Sequence, residues 1–373
     1  MKSFSCSECK QLLFFENVAC TRCGTKLAYL PDHMLVSPIA TDGDVVVALA
    51  PAAKRGRYRL CKNSIDHGAC NWAVPEKDDN EYCAACRLNL VVPDLSDPEA
   101  KTAWIRLEAA KRRLMHTLLA LHLPIDSRAA NPERGLAFSF MKQSEGSTPV
   151  FTGHSDGLIT INVAEADDPF REKMRMQMGE AYRTLVGHFR HEIGHYYWDR
   201  LIRDGAELPA FRELFGDERA DYGEALKKHY ANGAPAEWSL SYVSAYASMH
   251  PWEDWAETFA HYLHMVDALD TARAFGLALR AKPIVNAGLA PMRAQQLDFD
   301  DFDDLISAWL PLTIALNSFN RGMGLADLYP FVLSERTIAK LRFVHDVIER
   351  VAGRTDRQSA ATSAQPAASP AAS

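Results

Sequence analysis

All eight cysteines of this 373-residue chain fall between Cys6 and Cys86, and none occurs in the remaining three quarters. A stretch that short cannot stabilise itself by apolar burial alone, so the spacing of its thiols decides how it folds. Cys6-Ser-Glu-Cys9 and Cys20-Thr-Arg-Cys23 make a CxxC–x10–CxxC array. Its two turns present four thiolates to one tetrahedral ion, and Gly24 suits the tight turn after the last of them. Cys61, Cys70, Cys83 and Cys86 form a second set, C–x8–C–x12–CxxC, whose first half is looser and where His67 competes as a ligand. Four disulfides are the alternative. They need an oxidising compartment, and the N-terminus MKSFSCSECK has neither the apolar core nor the small-residue cleavage site of a secretory signal. The expectation is two structural zinc sites, each closed by four sulfurs, with metal binding supplying much of the module's folding free energy.

The rest of the composition narrows the class. The chain is 47% hydrophobic and 24% charged, which supports a substantial core and excludes wholesale disorder. Its formal net charge of −7 argues against a surface built to neutralise phosphates. Lys54, Arg55, Arg57, Arg59 and Lys62 form a local basic strip, but residues 1–95 hold 11 Lys and Arg against 11 Asp and Glu. Nucleic acid is therefore not an expected partner. No stretch approaches the roughly 18 uninterrupted apolar residues of a membrane span, and a cytoplasmic location is expected. The run from Gly353 to Ser373 is almost all Ala, Ser, Pro, Gln and Thr and reads as a disordered tail. The chain thus divides into a zinc-ribbon module (1–95), a larger body (96–352) and a tail (353–373).

Within the body, Pro93 to Pro98 reads as a linker whose Ser96 or Asp97 caps a following helix. From Glu99 to about His122, Trp104, Leu107, Leu114, Leu118 and Leu121 recur at helical spacing, with Lys111, Arg112 and Arg113 expected on the solvated side. Leu136–Phe140 and Gly157–Val163 read as strands of a small sheet. A long helix is then expected from Arg171 to about Leu201, which contains no proline.

That helix carries His191-Glu192-Ile193-Gly194-His195, an HExxH sequence. Residues i and i+4 project from one face, so both imidazoles can reach one ion, and Glu192 can reach its bound water as general base. A catalytic zinc takes three protein ligands. The continuation Tyr196-Tyr197-Trp198-Asp199-Arg200-Leu201 excludes the metzincin third histidine, and His188 lies too close on the same helix to complete a tetrahedron. The better source is the segment opening at Pro251, a proline suited to a first helical turn. There Glu253 and Glu257 share a face, so one can bind zinc while the other accepts a hydrogen bond from a ligand histidine. Glu253 is preferred as the ligand, with Glu257 the alternative. Glu213 and Asp217 form a rival pair, read as part of a structural turn shaping the cleft.

Glu253-Asp-Trp-Ala-Glu257-Thr-Phe-Ala is similar to the third-ligand helix of the anthrax lethal factor family, among the gluzincin metallopeptidases. That resemblance implies that Glu253 binds zinc, that Glu257 supports a ligand, and that Tyr246 assists catalysis. The arrangement as a whole, with its ribbon, Cys70-Asn71-Trp72 and the run HFRHEIGHYYWDRL from His188 to Leu201, resembles a bacterial family of zinc-binding metallopeptidases. The likeness extends from about Cys6 to Val351. It implies an α+β, mostly helical, zincin-like body with a small sheet, and a peptidase acting on peptides or proteins. In that reading one catalytic zinc on His191, His195 and Glu253 joins two structural zincs. The alternative is a non-catalytic zinc-binding regulatory or interaction protein on the same scaffold.

Overall fold

In the first hairpin, β1 (Phe4–Ser5) pairs antiparallel with β2 (Leu12–Leu13), which brings the Cys6–Cys9 turn to its tip. The second knuckle closes on it, with Sγ–Sγ separations of 3.8 Å for Cys6 and Cys23 and 3.5 Å for Cys9 and Cys20. This computed structural model describes residues 3–143, 146, 149–178, 183–277 and 301–353, so the expected tail lies outside the described residues except for Gly353.

An antiparallel meander follows: β3 (Leu27–Leu30), β4 (Leu35–Asp42), β5 (Val45–Ala48), β6 (Arg57–Leu60) and β7 (Ala73–Pro75), in that spatial order. Its end carries the second thiol set. Cys61 sits between β6 and the short helix α1 (Lys62–Ile65), Cys70 precedes β7, and Cys83 and Cys86 follow. Cys70 and Cys83 stand 3.7 Å apart, and none of the eight thiols is in a disulfide. Hydrogen bonds from Cys70, Cys83 and Cys86 hold the Cys61 thiol far below the usual thiol range, while burial raises Cys70 and Cys83. His67 is outside the set, its ring edge-on to Trp104 at 5.8 Å. The basic strip is partly neutralised, with Arg57 bonded to Asp42 and Glu76, and Lys62 to Glu81.

Helix α2 (Pro98–Ala120) begins where Asp97 accepts hydrogen bonds from the amides of Glu99 and Ala100, the expected cap. Its apolar stripe is buried, but the expectation of a solvated basic side is overturned. Lys111 and Arg112 are buried, and Arg113 pairs with Glu16 of the ribbon at 2.6 Å. The reason is a counter-charge on the same helix, Glu108, joined by polar groups from the ribbon. Lys111 Nζ donates to Glu108 at 2.8 Å and to Asn89, the Cys86 thiol lies 3.6 Å from Glu108, and Arg112 donates to the carbonyl of Ala69. Burial lowers the Arg112 pKa, but Glu108 and the thiol set outweigh it and raise it.

The second sheet crosses the linker. Strand β8 (Asn89–Val91) lies parallel to β9 (Ala137–Met141), which is parallel to β11 (Leu158–Asn162). Strand β10 (Gly153–Ser155) pairs antiparallel with β11 and forms the outer edge, giving the order β10-β11-β9-β8. Among the described residues the remainder is mainly helical: α3 (Asp168–Met178), α4 (Leu185–Leu201), α5 (Leu208–Phe215), α6 (Tyr222–Asn232), α7 (Pro251–Ala274), α8 (Phe302–Gly322) and α9 (Glu335–Val351). The α+β class expected from the sequence is therefore found.

The expected single helix from Arg171 is not continuous. Thr184 is extended (φ −124°, ψ 160°), and its hydroxyl accepts from the amide of Gly187. A β-branched residue that satisfies the free amides of a helix start favours a new N-terminus over an unbroken helix. Among the described residues no helix is long and apolar enough to cross a membrane.

The Glu108–Lys111 pair makes the α2–ribbon junction sensitive to substitution. Lys111→Met keeps most of the side-chain volume but leaves Glu108 buried with only the more distant Arg112, 3.9 Å away. Such a loss costs about 3–5 kcal/mol. The expected outcome is a urea midpoint lowered accordingly with the metal-loaded protein, whereas Lys77→Met on the exposed ribbon surface leaves the midpoint unchanged.

Candidate metal centre

The site depends on how closely α4 and α7 approach each other. Phe189 and Ile193 on α4 and Trp255 and Phe259 on α7 are fully buried in one core. At the crossing, a Cβ on Gly194 would lie 2.9 Å from the Cα of Ala256, a distance real side chains do not occupy. Glycine facing alanine lets the two backbones meet, and the Trp255 indole N–H donates to the Gly194 carbonyl at 2.9 Å. Helix α7 opens with Pro251 in its first turn, as expected, and with His250 as N-cap, whose Nδ1 accepts from the amide of Trp252. Glu253 is thereby placed one turn before the crossing, opposite the histidine face of α4.

Three atoms converge there. Glu253 Oε2 lies 3.0 Å from His191 Nε2 and 3.4 Å from His195 Nε2. The other nitrogen of His191, Nδ1, is 2.6 Å from Glu257 Oε1, and Ser244 donates to Glu257 Oε2 at 2.6 Å. Burial opposes charge on Glu257, but its contacts with His191 outweigh that and bring it down to about 2. The ionised carboxylate can only accept, so His191 Nδ1 carries the proton and the neutral ring offers a lone pair at Nε2.

Burial also disfavours a charged His191, yet Glu253 and Glu257 raise its pKa well above the usual range. The arrangement thus calls for one positive charge at Nε2, from a proton or a metal ion. Glu253 Oε2 is buried without a hydrogen-bond donor. Two imidazole nitrogens and a carboxylate oxygen at these separations suit a tetrahedral zinc, whose ligands at about 2.0–2.1 Å from the ion stand roughly 3.4 Å apart. The residues present therefore fit the metal.

Around the three atoms the enclosure is tight, with the side chains of His191, His195 and Glu253 only 12%, 4% and 2% exposed. The Trp252 ring packs on His195 at 3.7 Å, and the His154 ring of β10 lies 6.1 Å from His195 and 6.2 Å from Trp252. Burial and the neighbouring His195 push His154 down to about 3, and its neutral ring accepts at Nε2 from the amide of Gly157. Glu192 is buried, with His188 Nε2 3.8 Å from its Oε1. His188 Nδ1 in turn stands 3.5 Å from Glu165, which Arg183 also pairs with at 2.8 Å.

Tyr246, in a one-turn helix before α7, places its ring 6.1 Å from that of His191. Burial and the Glu253 charge raise its pKa, so it stays a donor at neutral pH. The rival pair is not part of the cluster. Glu213 is exposed, and Asp217 is exposed and bonded to Arg219.

Two participants carry no sequence signature that would have singled them out. Tyr222, five residues after Asp217, donates to Glu253 Oε1 at 2.8 Å. Ser244 fixes Glu257. Both reach the site from between α4 and α7, and only their contacts distinguish them from other hydroxyl residues.

Comparison with known proteins bears on this geometry. A family model described as "Putative zinc-binding metallo-peptidase" matches residues 100–347, and a zinc-ribbon domain model matches residues 3–97. Uncharacterised proteins of Mycobacterium tuberculosis and Mycobacterium bovis are each 44% identical over 353 residues, covering 94% of this chain and 96% of their own. No solved structure matches.

Gly194→Ala tests the helix crossing. Alanine improves helix propensity by about 1 kcal/mol. Overpacking against a backbone that cannot yield costs about 1–3 kcal/mol, and here it faces Ala256 Cα. Overpacking is expected to win, giving a net loss of stability in urea unfolding together with a weakened hold on any ion at His191 and His195.

Proposed function

We propose that this chain, which belongs to the zinc-binding metallo-peptidase family, hydrolyses peptide bonds at a gluzincin-like centre formed by His191, His195 and Glu253. The observation that carries the reading is the meeting of His191 Nε2, His195 Nε2 and Glu253 Oε2 beside the buried Glu192. When bound there, zinc supplies Lewis acidity and acidifies a water. Glu257, braced by Ser244, holds the His191 tautomer. Glu192 accepts the proton of the attacking water and returns it to the departing amine. Tyr246 donates to the carbonyl oxygen as charge develops on it.

Strand β10 is the outer edge of its sheet and presents His154 beside His195, so an extended peptide can align along it by backbone pairing. Its partner is accordingly a peptide or protein. The two closed thiol sets would hold structural zincs, giving three ions in all. Eight unpaired thiols suit a reducing cytoplasm.

Glu192→Gln keeps the shape of the site and removes the base. With casein and a peptide library as substrates, hydrolysis is expected to fall by about 10²–10⁴-fold with zinc content unchanged. Equal hydrolysis by variant and parent overturns the role of Glu192. Metal analysis of Glu253→Ala and Glu257→Ala separates ligand from support: the former is expected to lose one of three ions outright, the latter to bind it more weakly.

A further inference from the structure

The Glu253 carboxylate is divided between two tasks. Its Oε2 faces both imidazoles, and its Oε1 accepts a hydrogen bond from Tyr222 at 2.8 Å. We propose that Tyr222 is a positioning residue of the metal centre: by holding Oε1, it makes Glu253 a one-oxygen donor and keeps a position free for water. The inference rests on His191, His195 and Glu253 being the zinc ligands.

A carboxylate can offer a cation one oxygen or two, and an unheld second oxygen competes with water for the open position. The Tyr222 ring is fixed for its task. It stands edge-on to His250 at 5.4 Å and to Trp252 at 6.0 Å, and those residues lie immediately before Glu253 on its chain. A carboxylate oxygen accepts, so the phenol is the donor in that bond.

Tyr222 is the first residue of α6, a helix that buries none of its residues. What anchors this end of the helix is local: His250 Nε2 donates to the Ala220 carbonyl at 3.0 Å, and Asp221 caps the first turn by accepting from the Glu224 amide. The hydroxyl therefore reaches Glu253 from a separate element, not from the helices that supply the ligands.

The test uses the full chain with zinc retained in the thiol sets and cobalt(II) placed at the third site. Tyr222→Phe keeps the ring and removes only the hydroxyl. Expected are binding of the third ion weakened by about 10–100-fold in competition with a chelator, and weaker visible cobalt bands as a second carboxylate oxygen raises the coordination number. Retention of the two thiolate-bound ions reports that the variant is folded. Wild-type affinity together with an unchanged cobalt spectrum in Tyr222→Phe overturns the proposal and leaves the ligand reading standing. A parent protein whose third ion is absent, or survives Glu253→Ala, overturns the ligand reading itself.

Discussion

The approach of two helices at a glycine and an alanine is the constraint on which the centre depends. Two histidines on α4 share a face by helical periodicity alone, but a third donor must come from another element. Only backbones in contact bring Glu253 within 3.0 Å of His191. Gly194 and Ala256 make that contact possible, and the Trp255–Gly194 hydrogen bond locks its register. Everything else around the centre adjusts orientation. Glu257 sets a tautomer, Tyr222 holds an oxygen, and Trp252 and His154 confine a ring. None of these would act if the two axes stood a side chain further apart.

A second principle is that buried charges here occur in compensated groups. Lys111 and Arg112 would be costly in an apolar core, yet Glu108 and the thiols of the second set meet them. On the far side of the ligand helix, Asp254 is buried against Lys340 of α9 at 2.5 Å, and Lys340 also donates to the Ser241 carbonyl. Burial raises the Asp254 carboxyl to about 7 despite its partner, which shows how much solvation that position gives up. Glu253 and Asp254 are neighbours in sequence but face opposite ways, one toward the metal centre and one toward the structural pair. The ligand helix is thereby held from both sides.

Much of the fold was legible because its signals are local. The CxxC turns, the cap at Asp97, the alternation in β9 and β11 and the proline opening α7 each need only a few adjacent residues. The histidine pair and its glutamate were legible for the same reason. What escaped reading depends on partners distant in sequence. Lys111 looked solvated because the Asn89 that it bonds lies 22 residues earlier, on a strand of another element. Tyr222 meets Glu253 across 31 positions. The break before Leu185 turns on a single hydroxyl, a weaker signal than the run of good helix formers around it.

The pairing of β8 with β9 has a further consequence. β8 falls within the ribbon match and β9 within the peptidase match, so the two families share one sheet in this protein. A chain severed at the linker would leave β9 with an uncovered edge and strip α2 of the Asn89, Ala69 and Glu16 groups that meet its cations, although every residue of the metal centre would still be present. The ribbon also leaves the ribosome first, so its thiols can be organised before the helices of the centre have been made. Inheritance is constrained in the same way: a ribbon exchanged for an unrelated zinc module would lack the strand that the larger part requires, and the two parts must therefore change together.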